Sequence, residues 1–240
     1  MKCSVRIYAA GVVMLLTLVG CTTTQGPPAA DPLGYAEVTS SIDQPPPTSK
    51  LPFPPVQKAK KHVYLLLGGL QGADGWVTSA GMYGLRSSLA ALPNVEVTTY
   101  NWQSYKQAAD AIALLPEDDI VIVIGYSGGG HKATWLANGY SGVPGRYWPR
   151  PRIDLMIVYD ASPTWAMMPI HDNVKRAINY RSVTPMFFGL GGGALVGNTE
   201  IETIDVSEQH LLVQVNQTLH QRTIAEVKKV DKLASSHASE

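Results

Sequence analysis

A serine stands where a strong strand pattern gives way to a run of glycines. Residues 120–124 read Ile-Val-Ile-Val-Ile, and residues 125–129 follow at once as Gly-Tyr-Ser-Gly-Gly. A continuous β-branched run predicts a strand buried on both faces, and the helical pattern after it predicts a sharp strand-to-helix turn at Ser127. A serine hydroxyl on such a turn can act as a nucleophile when a neighbouring base takes its proton.

The glycines around Ser127 fit this turn. Gly125 and Gly129 stand two residues on either side of it, where strand and helix approach too closely for larger side chains. The turn also places Ser127 at a helix N-terminus, where the backbone N–H of Gly128 can point at a developing oxyanion. A glycine-rich turn whose serine has no chemical role would give the same pattern, so this alternative stays open.

The elements that must position this serine follow from the pattern of the rest of the chain. From His62 onward, short apolar runs alternate with helical periodicity, which is typical of βαβ units. The predicted strands are 63–67, 95–100, 120–124, 155–159, 184–188 and 201–206. Predicted helices follow the first three strands, the third of them at 132–138, and one more follows the last strand. The predicted fold class is α/β, with a mainly parallel sheet of about six strands flanked by helices.

The serine motif and its context resemble the nucleophile turn of the α/β-hydrolase superfamily, in particular its small lipase- or esterase-like members. The resemblance extends from about residue 62 to 230 and implies a minimal fold without a large cap domain. Residues 161–181, between the fourth and fifth predicted strands, are too few for such a cap. The chain departs from the pattern at Tyr126, where many members have histidine, and at the two glycines that follow Gly128.

The resemblance implies that a base follows the serine and an acid in chain order. His210 comes directly after the last predicted strand, where such folds carry their base. His220 is the alternative, although it lies within the predicted last helix. His131, one turn beyond Ser127, is expected to pack or to cap.

Asp160 is the preferred acid because it ends the fourth predicted strand, at the edge where the loops of this architecture converge. Many members of the superfamily use the following strand, but no carboxylate occurs there before Glu200. Glu200, Glu202 and Asp205 remain alternatives, as does a capping role for Asp160.

The resemblance also implies a second oxyanion donor in the loop after the first strand, with Leu70 preferred over its neighbour Gln71. A further set of side chains falls in loops at the same edge and could line an acyl or aryl pocket or simply pack. These are Trp76, Tyr126, Trp165, Met167 and Met168.

No cofactor or metal is expected. Residues 189–197 are glycine-rich but lack the Gly-Lys-Ser/Thr ending of a phosphate loop, which favours a flexible loop or hairpin. No His, Cys, Asp and Glu cluster has metal-ligand spacing. Nineteen basic residues balance 19 acidic ones, and no basic cluster occurs in the predicted domain, so nucleic acid is not an expected partner. The oligomeric state cannot be predicted.

The amino-terminal segment predicts export. Two positive charges precede an apolar run at 9–19, which is short for a membrane span and typical of a signal peptide. Leu-Val-Gly-Cys at 18–21 resembles a bacterial lipobox and implies that Cys21 is diacylated and anchors the protein to a membrane. A plain cleaved signal and an uncleaved anchor are the alternatives. Thr22 after the cysteine favours, by the same resemblance, the periplasmic face of the outer membrane.

The predicted organisation has four parts: a signal peptide at 1–20, a proline-rich tether at 21–60, an α/β-hydrolase-like domain at 61–232, and a flexible tail at 233–240. Cys3 lies in the predicted signal, so the mature chain has no cysteine pair for a disulfide. The resemblance implies a serine hydrolase of ester or thioester substrates. Two alternatives stay open: a non-catalytic envelope protein of the same fold with a binding or organising role, and an acyltransferase with the same site.

Overall fold

The computed structural model describes residues 59–69, 79–162, 167–184 and 191–236, with side chains as far as residue 230. The strands in these ranges are β1 Lys61–Leu67, β2 Val95–Asn101, β3 Ile120–Tyr126, β4 Leu155–Tyr159, β5 Arg176–Ser182 and β6 Glu200–Val206. The helices are α1 Ala80–Ala90, α2 Tyr105–Ala113, α3 Gly128–Ala137, α4 His210–Val213 and α5 Gln217–Ser236, and a 3-10 turn at Trp102–Ser104 precedes α2. None of the helices within these ranges is long and apolar enough to cross a membrane.

The six strands form one sheet in the order β2-β1-β3-β4-β5-β6, and every pairing is parallel. This is the arrangement of a minimal α/β-hydrolase fold, so the predicted fold class is confirmed. The strand β2 lies on one side of β1, and β3 to β6 follow one another on the other side, so the direction in which strands are added reverses between β1 and β3. Ligands of open parallel sheets bind beyond the carboxyl ends of the strands at such a switch point. The carboxyl end of β3 is where Ser127 follows.

Helices cover both faces of the sheet, which explains why the central strands are apolar on both sides. One core cluster joins the strands to α1 and α5, and a second joins them to α2 and α3. Every residue of β3 and β4 is buried. Packing on both faces holds these two strands in place. Ser127 and Asp160, which directly follow their carboxyl ends, are therefore held in place as well.

The fifth strand along the described chain is β5, which begins eight residues before the strand predicted at 184–188. Residues 185–188 of that prediction lie outside the described part of the chain. Arg176 and Arg181 interrupt the apolar pattern by which a strand is predicted from sequence. In the folded sheet they pair with Glu200 and Asp205 at the matching positions of β6. Strand pairing therefore satisfies the charges of all four residues.

Two local predictions also need correction. The third helix was expected at 132–138, but α3 already begins at Gly128, although three successive glycines are poor helix formers. Tertiary packing overrides their preference, since a Cβ on Gly129 would lie 2.1 Å from the backbone oxygen of Leu66. His210, expected in a loop, is the first residue of the short helix α4.

Candidate active site

Ser127 sits in a strained turn between β3 and α3. Its φ is 54° and its ψ is −120°, a conformation that costs a residue with a side chain on the order of 1–3 kcal/mol. Neighbouring backbone holds it there. The Ser127 N–H donates to the Tyr159 oxygen at 3.0 Å, and the Ser127 oxygen accepts from the N–H groups of His131 and Ser162 at 3.1 and 3.3 Å. Two segments, α3 and the end of β4 with the residues after it, thus hold Ser127 at the carboxyl edge of the sheet.

Glycines allow the turn to pack this tightly. A Cβ on Gly125 would lie 2.5 Å from the Gly129 oxygen, and a Cβ on Gly68 would lie 2.7 Å from the Ser127 Cβ. Such distances are shorter than real Cβ contacts, so neither position accepts a side chain without displacing backbone or the serine itself. The end of β1 therefore passes directly against the serine.

The structure brings three of the predicted site residues into one hydrogen-bonded chain. His210 Nε2 lies 2.8 Å from Ser127 Oγ, and His210 Nδ1 lies 2.7 Å from Asp160 Oδ2. Because an ionised carboxylate only accepts hydrogen bonds, Nδ1 carries the proton and Nε2 is left to accept the serine proton. The arrangement can activate a serine hydroxyl as a nucleophile.

Asp160 is fixed by more than the histidine. It is completely buried, its φ is 45°, and its Oδ1 accepts the backbone N–H groups of Ser182 at 2.9 Å and Gly192 at 2.6 Å. These two donors occupy one carboxylate oxygen and leave the other for His210. The carboxylate therefore has one orientation in which all its partners are satisfied.

Tyr126, the residue before the serine, is buried beneath the site rather than lining a pocket. Burial raises the pKa of its hydroxyl, and the nearby charge of Asp160 raises it further. The hydroxyl therefore stays protonated and donates to the backbone oxygen of His210 at 3.3 Å.

The other candidate residues lie in different surroundings. His220 donates from Nε2 to the Gln214 oxygen at 2.7 Å, and burial lowers its pKa despite that hydrogen bond. His131 is buried with its ring against Trp135. The remaining carboxylates form ion pairs: Glu200 and Glu202 with Arg176, Glu202 also with Arg222, and Asp205 with Arg181.

The predicted oxyanion donors are described only in part. Gly128 is the first residue of α3, directly after Ser127, so its N–H belongs to the unpaired first turn of that helix. Leu70 and Gln71 lie outside the described residues, as do Trp76 and Trp165. Met167 and Met168 are partly buried.

Sequence reasoning missed the residues that hold Asp160. Ser182 ends β5, and Gly191 and Gly192 belong to the glycine-rich segment that was interpreted as a flexible loop or hairpin. A Cβ on Gly191 would lie 2.2 Å from Asp160 Oδ2 and 2.8 Å from His210 Nδ1. The signal was the glycine cluster itself, but only the fold shows which side chains it packs against.

No family model matches the sequence, and no curated protein matches it. Similar solved structures include RedJ with a polyethylene glycol in its active site, at 13% identity and a TM-score of 0.45, covering 80% of this chain and 96% of that one. A putative cell surface hydrolase from Lactobacillus plantarum has 8% identity and a TM-score of 0.44, with 72% and 91% covered. Human thioesterase 2 has 11% identity and a TM-score of 0.40, with 72% and 98% covered. These likenesses concern the fold alone.

Proposed function

We propose that the protein is a serine hydrolase that cleaves carboxylic esters or thioesters through an acyl intermediate on Ser127. The observation that carries the proposal is the position of the His210 ring, 2.8 Å from Ser127 Oγ on one side and 2.7 Å from Asp160 Oδ2 on the other. A serine hydroxyl is a weak nucleophile at neutral pH, and this pairing is what makes it reactive.

In the first half of the reaction, His210 Nε2 takes the proton of Ser127 as Oγ bonds to the substrate carbonyl carbon. Asp160 stabilises the imidazolium that forms and keeps the ring oriented. The tetrahedral intermediate then collapses, the carbon–oxygen or carbon–sulfur bond to the leaving group breaks, and His210 donates its proton to the departing alcohol or thiol. Ser127 is left acylated.

In the second half, water attacks the acyl carbon while His210 takes a proton from the water. The acid leaves and Ser127 recovers its proton from His210. The oxyanion of each tetrahedral intermediate faces the N-terminus of α3, where the Gly128 N–H and the helix dipole favour negative charge. Leu70 remains the proposed second donor. Side chains, backbone and water supply every step, so the mechanism requires no cofactor.

Hydrolysis of p-nitrophenyl esters of graded chain length tests the proposal. The wild-type protein should release p-nitrophenol, and Ser127→Ala and His210→Ala should each lower kcat by about 10³-fold or more. His220→Ala is the matched control, because it removes a buried histidine that contacts Gln214 instead of Ser127. Equal rates for the wild type and Ser127→Ala would favour a binding or organising role for the same fold.

We further propose that the protein works in the bacterial envelope, anchored by a diacylated Cys21 at the periplasmic face of the outer membrane. The lipobox-like residues 18–21 and the proline-rich stretch after them support this location. Cells fed with labelled palmitate should incorporate it into the wild-type protein but not into Cys21→Ser. Equal labelling of both proteins would contradict the proposed anchor.

A further inference from the structure

Tyr126 touches the proposed base in two ways. It is the last residue of β3, is 1% exposed, and directly precedes Ser127. Its ring centroid lies 5.3 Å from that of His210, with 24° between the two planes, so the rings are stacked. Its hydroxyl donates to the backbone oxygen of His210 at 3.3 Å. One side chain therefore contacts both the ring and the main chain of the histidine.

We propose that Tyr126 is a positioning residue that acts through His210, holding its main chain by the hydroxyl and stabilising its protonated ring by the aromatic face. The inference rests on the proposed function, because it assigns Tyr126 a task only if His210 takes the proton of Ser127.

The physical basis is the charge that appears on His210 during the reaction. The face of an aromatic ring is electron-rich, and it attracts a cation that lies within about 6 Å of its centroid. His210 is buried, so water screens this attraction less than it would at the surface. The stack therefore favours the imidazolium over the neutral ring, and it acts in the transition state for attack by Ser127.

Among the described residues, the other groups near the His210 ring contact its nitrogen atoms or are paired elsewhere. Asp160 holds Nδ1 from the end of β4, and Ser127 holds Nε2. The backbone of Gly191, after β5, lies so close to Nδ1 that a Cβ at this position would be 2.8 Å from it. Glu208, two residues before His210, accepts a hydrogen bond from Asn216 Nδ2. Within the described part of the chain, Asp160 is thus the carboxylate bonded to the His210 ring, and the Tyr126 ring is stacked on that ring.

The pH dependence of labelling by a fluorophosphonate probe separates this role from simple space filling. The second-order rate constant is measured from pH 5 to pH 9 on the full-length protein, on Tyr126→Leu and on Tyr126→Phe. In Tyr126→Leu the acid limb should move to lower pH by about half a unit, because the protonated ring loses the aromatic face. In Tyr126→Phe the limb should stay in place, and the plateau should fall about 2- to 10-fold because the hydroxyl contact is lost.

Tyr64→Leu is the matched control, since Tyr64 is a buried tyrosine of β1 that stacks on Tyr100 instead of His210. Its acid limb should match that of the wild type. If Tyr126→Leu does not fold, phenylalanines with one to three ring fluorines at position 126 keep the volume and weaken the aromatic face stepwise. The acid limb should then move down stepwise.

An acid limb that is the same in the wild type, in Tyr126→Leu and in the fluorinated series would overturn the inference while leaving the serine hydrolase intact. Absence of labelling in the folded wild-type protein would instead count against the proposed function itself. The two failures are therefore distinguishable in one series of measurements.

Discussion

The carboxylate of Asp160 is oriented by backbone groups as well as by its partner histidine. Two N–H groups, from Ser182 and Gly192, bind Oδ1, and Oδ2 remains for His210. The segment that supplies Gly192 comes this close because Gly191 has no side chain and has a φ of 88°. At the scale of single residues, the orientation of the proposed base, His210, thus depends on a glycine that has no role in the proposed reaction.

Gly191→Ala should therefore lower the rate of ester hydrolysis by about 100-fold, because the new Cβ would displace the Asp160–His210 pair by a substantial fraction of an ångström. Gly145→Ala is the matched control: Gly145 also has a positive φ, 74°, but a Cβ added there would have no atom within 4 Å. Both substitutions strain the backbone, and only the first should affect kcat. Equal kcat values in the two variants would contradict this account of Asp160.

At the scale of elements, the position of Ser127 depends on how closely α3 lies against β1. The contact is between backbones, since Gly129 faces the carbonyl of Leu66 with no room for a methyl group. Helix α3 therefore begins directly after the serine and directs its unpaired N–H groups at the site. A helix displaced outward would move both the proposed nucleophile, Ser127, and the proposed oxyanion donor, Gly128.

Gly129→Ala should destabilise the protein by about 1–3 kcal/mol or more, because the Cβ would meet a backbone oxygen that cannot rotate away. Urea unfolding gives the free-energy difference directly. Gly84→Ala is the control in α1, where a Cβ would have no atom within 4 Å, and it should stabilise the protein by roughly 0.5–1 kcal/mol through helix propensity. A Gly129→Ala protein as stable as the wild type would show that α3 can move away from β1 at little cost.

At the scale of the whole molecule, an ion-pair network connects the last helix, α5, to the strands β5 and β6 at one edge of the sheet. Arg176 in β5 contacts Glu200 and Glu202 in β6 and Glu226 in α5. Burial opposes ionisation of Glu226, but hydrogen bonds from Lys229 and Arg176 outweigh it and lower the pKa of the carboxyl. Ion pairs thus link α5 to both β5 and β6, and His210 lies in the connection between β6 and α5.

Glu226→Gln should lower the free energy of unfolding by about 1–3 kcal/mol at pH 7. It removes the charge that faces Arg176 from a side chain that is only 5% exposed. Glu200→Gln, where the side chain is 71% exposed, should cost less than about 1 kcal/mol. Because the folded-state pKa of Glu226 is lowered, its contribution is present above the ordinary value of 4.5 and is lost as the pH falls through the folded value. The difference between wild type and Glu226→Gln in urea unfolding should therefore shrink towards pH 3, and a constant difference would contradict the assignment.

The strong local patterns were enough to predict the sheet class and the turn at Ser127. A buried β-branched run and flanking glycines have few other interpretations. The strand β5 was misplaced because Arg176 and Arg181 are satisfied only by residues of β6, more than 20 positions away. The backbone donors to Asp160, from Ser182 and Gly192, were missed for a similar reason. Every residue except proline has a backbone N–H, so the sequence does not show which of them bind a side chain, and the glycines that bring the Gly192 N–H close are equally typical of a flexible loop.

The most direct test of the central claim is to locate the adduct formed when the wild-type protein reacts with a fluorophosphonate. Peptide mapping by mass spectrometry should place a single adduct on the peptide that contains Ser127, and denatured protein should give none. An adduct on another serine, or a folded protein that forms no adduct, would contradict the proposal that His210 and Asp160 activate Ser127.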